Sequence, residues 1–120
     1  MCGIAGYFQR DNTAPVSKDV LRRMISDLGH RGPDDQGFYV NGQVSLGQSR
    51  LSIIDLSGGK QPIFNEDKSI AVVFNGEIFN YPELTKDLLK RGHHFYTRSD
   101  TEVIVHAYEE YGMDFLNYLM

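Results

Sequence analysis

The stretch "FYVNGQVSLG" at 38–47 limits the fold more than any other part of the sequence. Asn41-Gly42 stands between two strand-like runs, and so short a loop closes only a pair of antiparallel strands. The preceding string, "HRGPDDQG" at 30–37, is rich in turn formers and reads as a loop, intolerant of helix or strand.

The rest of the pattern surrounds this hairpin with mixed elements. "GIAGYF" after Cys2 is a short, Gly-rich apolar run and reads as a buried strand. Val20, Leu21, Met24, Ile25 and Leu28 recur at helical spacing, with Ser17 as N-cap and Gly29 as stop. "RLSIIDL" reads as a further strand and "SGGKQP" as a loop. "SIAVVF" reads as a strand covered on both faces. Pro82 opens a helix that Gly92 ends, and "HHFYTR" reads as a short strand. A last long helix has Ser99 and Glu102 as a capping box, an apolar face of Val103, Ile104, Ala107, Tyr108 and Tyr111, and Gly112 as stop. "MDFLNYLM" then begins another element, as if the chain were cut there. Strands in groups with helices between them predict an α+β layered sandwich.

At 120 residues the chain has the length of one domain. Its net charge of -4 argues against nucleic acid as the main partner, because phosphate binding needs a surplus of Lys and Arg. No stretch has the length of a membrane span, and "MCGIAGYFQRD" lacks the basic and apolar regions of a signal peptide. One cysteine cannot form an internal disulfide or a Cys-rich metal site, so a reducing, cytoplasmic location is expected. His30, His93, His94 and His106 show no acidic partners at ligand spacing, and no metal site is expected from them.

That cysteine is the second residue. A nucleophilic thiol needs a base. With Met1 removed, Cys2 would carry one in its own α-amino group, whose ordinary pKa is about 7.7 to 8.0. Position alone leaves open the alternative of a small buried residue starting a strand.

Five segments in order, "CGIAGYF", "HRGPDDQG", "RLSIIDLSGGKQP", "FNGEIFNY" and "SDTEVI", resemble the glutaminase domain of glutamine-dependent asparagine synthetases. These belong to the class II glutamine amidotransferases, which are N-terminal nucleophile hydrolases. Sibling amidotransferases carry "TRWATHG" where this chain has "SRLSIIDLSGG", which favours the asparagine synthetase branch or one close to it. The resemblance implies a four-layer αββα sandwich, incomplete at the C-terminus, with residues 1–120 as the N-terminal part of the glutaminase domain and the ATP-dependent synthetase domain absent.

It also implies a site. Cys2 would attack the side-chain amide of glutamine, and the side chain of Asn75 with the main-chain N–H of Gly76 would hold the oxyanion. Arg50 would grip the substrate carboxylate, since a guanidinium offers two parallel hydrogen bonds. Leu51, Ser52, Ile53 and Ile54 would line the pocket, with Glu77 and Asp100 binding the ammonium. Asp100 would lie beside a helix start that favours its charge. Arg31 and Asp34 in "RGPD" would have a structural role below the site. The reaction needs no cofactor; ATP and Mg belong to the absent domain, where the ammonia would aminate activated aspartate. L-glutamine and a synthetase half are the implied partners. An open sheet edge predicts a homo-oligomer, which sedimentation would show as a dimer or larger species. The alternative is a catalytically inert fragment serving as an interaction or assembly module. Because small penultimate residues permit removal of Met1, the intact mass of the purified protein is expected to lack one methionine; a mass that retains it would leave Cys2 without its base.

Overall fold

The structure is a computed structural model that describes residues 2–11, 14–51 and 59–120. Its described residues form two compact units. One holds the residues up to Leu51 with Lys60–Pro62 and Val73–Asn75; the other holds Gly59, Ile63–Val72 and Gly76–Met120.

The hairpin forms as its turn residues require. Strands β2 (Asp35–Asn41) and β3 (Val44–Arg50) pair antiparallel from Asn41↔Val44 to Asp35↔Arg50. Gly42 occupies the turn at φ 56°, where a side chain would be strained. Strand β1 (Gly3–Phe8) pairs antiparallel with the other edge of β3, from Gly3↔Ser49 to Phe8↔Val44, so the order is β1-β3-β2. The turn-forming string before the hairpin is shorter than its composition implies, since Asp35, Gln36 and Gly37 belong to β2. Gly37 marks a close approach: a Cβ there would stand 1.6 Å from the carbonyl oxygen of Gln61. Gly32 has the same role in the loop, where a Cβ would meet Ser49 O at 2.3 Å.

One face of this sheet carries helix α1 (Lys18–Asp27). Leu21 and Ile25 are fully buried, and the helical spacing of the sequence is explained by that face. Each such side chain stabilises the unit by about 1.5 to 3 kcal/mol. Gly47 makes room for Ile25, whose Cγ1 would lie 2.8 Å from an added Cβ. Ser17 is the N-cap residue but makes no side-chain cap bond, and the helix ends one turn residue before Gly29, at cap Leu28. The other face is covered by Gln61 and Phe74 at the Gln48 end and leaves an apolar patch open beyond it. It lines a cavity of about 560 Å³ with Ile4, Phe8, Leu46 and Val73, and Phe8 is 65% exposed.

"SIAVVF" departs from expectation. Only Ala71–Val72 (β5) forms a strand, paired with Ile63–Phe64 (β4), and its side chains are half-buried. The following main chain is held by side chains instead of a ladder. Gln48 Nε2 donates to Phe74 O at 3.0 Å, and Phe74 N donates to Gln61 Oε1 at 2.6 Å. Most of "RLSIIDL" lies outside the described residues, and its first residue, Arg50, ends β3.

In the second unit, α2 (Tyr81–Lys90) starts one residue before Pro82, and Gly92 follows its end at φ 101°. Helix α3 (Glu102–Tyr111) packs against α2 and against a 3₁₀ segment, Gly112–Tyr118. The capping box does not form. Ser99 Oγ accepts from Thr101 N at 3.2 Å, but the Glu102 carboxylate is fully buried and turns to the preceding chain. It accepts from Tyr96 N at 2.8 Å, from Thr97 N at 2.7 Å and from the Thr97 hydroxyl. For the same reason "HHFYTR" is not a strand: a carboxylate supplies the acceptors that a neighbouring strand would have offered. The buried face of α3 also differs from the expected one. Val103 and Ala107 are in it, with Val105, His106 and Glu102, whereas Tyr108 is 40% exposed.

Two glycine substitutions separate close approach from turn strain. Gly42→Ala, with open space around its Cβ, should cost about 1 to 2 kcal/mol for its positive φ. Gly37→Ala must displace the Gln61 backbone and should cost about 3 kcal/mol or more. Urea denaturation of the two variants measures the difference, and equal midpoints would contradict the assigned packing.

Candidate functional site

Cys2 precedes β1, and the register of that strand decides what it meets. Gly3 stands opposite Ser49, so the residue before Gly3 falls opposite Arg50, with Leu51 next along the chain. Leu51 N accordingly points at Cys2 Sγ at 3.5 Å, and the thiol lies 3.9 Å from Leu51 O. Cys2 is partly buried. Its sulfur thus rests against a main-chain donor supplied from 49 residues away.

A third segment reaches the same residue. Asn75 is exposed, and its side-chain amide donates to the carbonyl oxygen of Cys2 at 3.0 Å. Asn75 lies outside any strand or turn, with a bend at Gly76, so the hairpin turn that Asn-Gly would suggest in isolation is not made here. Its position is prepared by the Phe74 main chain, which Gln48 and Gln61 clamp from both sides. Both glutamines are buried, and sequence reasoning missed them. The signal available was slight: a polar residue between Gly47 and Ser49 in an otherwise plausible strand.

Arg50 closes β3 and is half-buried. The "RGPD" turn is fastened to this end of the strand. Asp34 N donates to Arg50 O at 3.0 Å, and Ser49 Oγ donates to Gly32 O at 2.6 Å. The turn therefore braces β3, the partner of the Cys2 strand. Ser52, Ile53 and Ile54 lie outside the described residues.

The second unit carries the remaining candidates. Gly76 and Glu77 are exposed. Asp100 is half-buried just ahead of α3, and its Oδ2 accepts from Ile78 N at 2.8 Å. Ser99 Oγ lies 3.5 Å from the other oxygen. Asp100 is therefore tied to the residue that follows Glu77. Within this unit, the two carboxylates proposed to share an ammonium are linked through the main chain.

Comparison with known proteins bears on these residues as a set. A family model described as "Glutamine amidotransferase domain" matches residues 1–120. Asparagine synthetase [glutamine-hydrolyzing] 1 of Arabidopsis thaliana is 46% identical over 119 residues, which are 99% of this chain and 20% of that protein. Asparagine synthetase [glutamine-hydrolyzing] 2 of Bacillus subtilis (strain 168) is 46% identical over 121 residues, 98% of this chain and 16% of its own length. The nodule asparagine synthetase of Pisum sativum is 42% identical, over 99% of this chain and 20% of the relative. The chain thus spans about a fifth of the length of the curated relatives it matches. With the family model matched from end to end, the chain belongs to the glutamine amidotransferase domain family.

Proposed function

We propose that this chain is the glutamine-hydrolysing part of an asparagine synthetase. The observation that carries the reading is the convergence on Cys2 of two segments remote in sequence: the Leu51 N–H on its sulfur and the Asn75 amide on its carbonyl oxygen. The names of the relatives supply the substrate, since each is a glutamine-hydrolysing asparagine synthetase.

In the proposed reaction the α-amine of Cys2, freed by loss of Met1, takes the thiol proton. The sulfur then forms a bond to the amide carbon of glutamine. Negative charge moves to the oxygen, where the second N–H of Asn75 and the main-chain N–H of Gly76 receive it. An amide side chain has two donors, so Asn75 can keep its bond to Cys2 while it serves the oxyanion. The C–N bond breaks as the ammonium of Cys2 returns the proton, and ammonia leaves. Water then hydrolyses the thioester and releases glutamate. Arg50 holds the substrate carboxylate, Glu77 and Asp100 its ammonium, and Leu51, Ser52, Ile53 and Ile54 the walls.

This half-reaction needs no cofactor. ATP and Mg are assigned to a synthetase half, where ammonia would aminate activated aspartate. The four-layer αββα arrangement is proposed on the same reading. One face of the first sheet carries α1, and the opposite face, with Phe8 65% exposed, is the apolar surface a second sheet would cover. A homo-oligomer and a reducing cytoplasm are proposed with it. Among the described residues no helix is long and apolar enough to cross a membrane.

Glutamate released from glutamine tests the assignment. Cys2→Ala should reduce the rate to background. Asn75→Ala should lower kcat by about 10² to 10³, the usual loss for one oxyanion donor. Arg50→Lys should act mainly on KM, by about tenfold, because a lysine cannot make the paired contact. Equal background rates from the wild-type protein and Cys2→Ala would replace the enzyme reading with that of an assembly module.

A further inference from the structure

Four ionisable side chains scattered along the sequence come together in the second unit. Glu66 lies between β4 and β5, His93 follows α2, and His106 and Glu109 stand one turn apart on α3. Each offers one ligand atom, and the four atoms lie within 4.8 Å of one another. His106 is wholly buried, and its Nδ1 has no hydrogen-bond partner among the described residues. That nitrogen is aimed into the cluster, 3.4 Å from Glu66 Oε2 without the alignment of a hydrogen bond. His93 Nδ1 stands 3.8 Å from Glu66 Oε1 and 3.7 Å from Glu109 Oε2.

The far side of each ring also faces a carboxylate. His106 Nε2 meets Glu102 Oε1 at 3.4 Å, and His93 Nε2 meets Glu110 Oε2 at 3.2 Å. A carboxylate only accepts, so a proton on each Nε2 serves the outer contact, and in that tautomer each Nδ1 turns a lone pair to the inner carboxylates. The inner carboxylates have outer partners too. His94 N donates to Glu66 Oε1 at 2.6 Å, and Asn65 Nδ2 donates to Glu109 Oε2 at 3.3 Å. Two lone pairs facing two anions repel one another unless a positive charge lies between them. A ligand set in which every member is oriented from outside is the usual surrounding of a bound metal.

We propose that Glu66, His93, His106 and Glu109 bind one divalent transition-metal ion, with zinc the best fit. Two imidazole nitrogens and two carboxylate oxygens suit zinc, whereas calcium and magnesium prefer oxygen alone. Ligand atoms about a tetrahedral zinc lie roughly 3.3 to 3.4 Å apart. Three contacts, at 3.4 to 3.8 Å, are within a few tenths of an ångström of that spacing, and the four atoms together, within 4.8 Å of one another, have to draw in by up to about 1.4 Å around the ion. Glu66 and Glu109 are 35% and 39% exposed at the side chain, which gives the ion a way in. Four protein ligands leave no open position, so the ion fastens the Glu66 and His93 segments to α3 and takes no part in hydrolysis.

The test uses the chain after chelator treatment, titrated with Co(II) and then Zn(II). One Co(II) per chain with the intense visible band of a four-coordinate site, displaced by one equivalent of zinc, is expected. Glu109→Gln, at a partly exposed position, and His93→Gln, where the side chain is 10% exposed, should each weaken zinc binding at least tenfold. Both should also lose the zinc-induced rise in melting temperature, with circular dichroism verifying that they fold. His106→Ala removes a buried ring and is not needed for the conclusion. Absence of stoichiometric uptake at micromolar zinc would overturn the proposal, most directly if nitrogen shifts place protons on both ring nitrogens of His106. So would zinc affinity unchanged in both variants.

Discussion

The register of β3 against β1 is the constraint on which the first unit depends. Because Gly3 pairs with Ser49, Leu51 arrives beside the Cys2 sulfur, and the alternation along β3 turns Gln48 toward Phe74. A slip of one residue would send Gln48 to the opposite face of the sheet. Phe74 would lose its clamp, and Asn75 its place at Cys2. The glycines guard this register by sterics. Gly32 lets the "RGPD" turn lie against Ser49, Gly37 admits the Gln61 backbone, and Gly47 admits Ile25.

The second unit is organised by a different device, the buried carboxylate of Glu102. It stands at the first turn of α3 and collects the amides of Tyr96 and Thr97, so an irregular segment is fixed without strand partners. A buried charge is tolerable only when its hydrogen bonds are made. Here they are made by the chain immediately before the helix, and His106 completes the surroundings one helical turn later. Glu102 thus does more than cap a helix. It links the loop after α2 to the core formed by Val103, Val105 and Ala107.

Legibility in the sequence followed the range of the interactions. The hairpin, the three helices and their glycine stops were readable because the relevant preferences act within a few residues: Gly42 and Gly92 at positive φ, Pro82 in a first turn, Leu21 and Ile25 on one helical face. "SIAVVF" and "HHFYTR" misled for the opposite reason. Their composition suits a strand, but the acceptors and donors that hold Phe74, Tyr96 and Thr97 are side chains of Gln48, Gln61 and Glu102. Local propensity carries no information about such partners.

The candidate residues divide in the same way. The sequence by itself determined which chemistries were present: a lone thiol in second position, an Asn-Gly pair, an arginine at a strand end, and a resemblance strong enough to name their family. It also left four histidines looking unrelated. Only the tertiary structure decided that Asn75 reaches Cys2 across 73 residues and that His93 and His106 face Glu66 and Glu109 in one cluster. The physical reason is that chemical type is written residue by residue. Distance between two such residues is set by the register of strands and the packing of helices that neither residue belongs to alone.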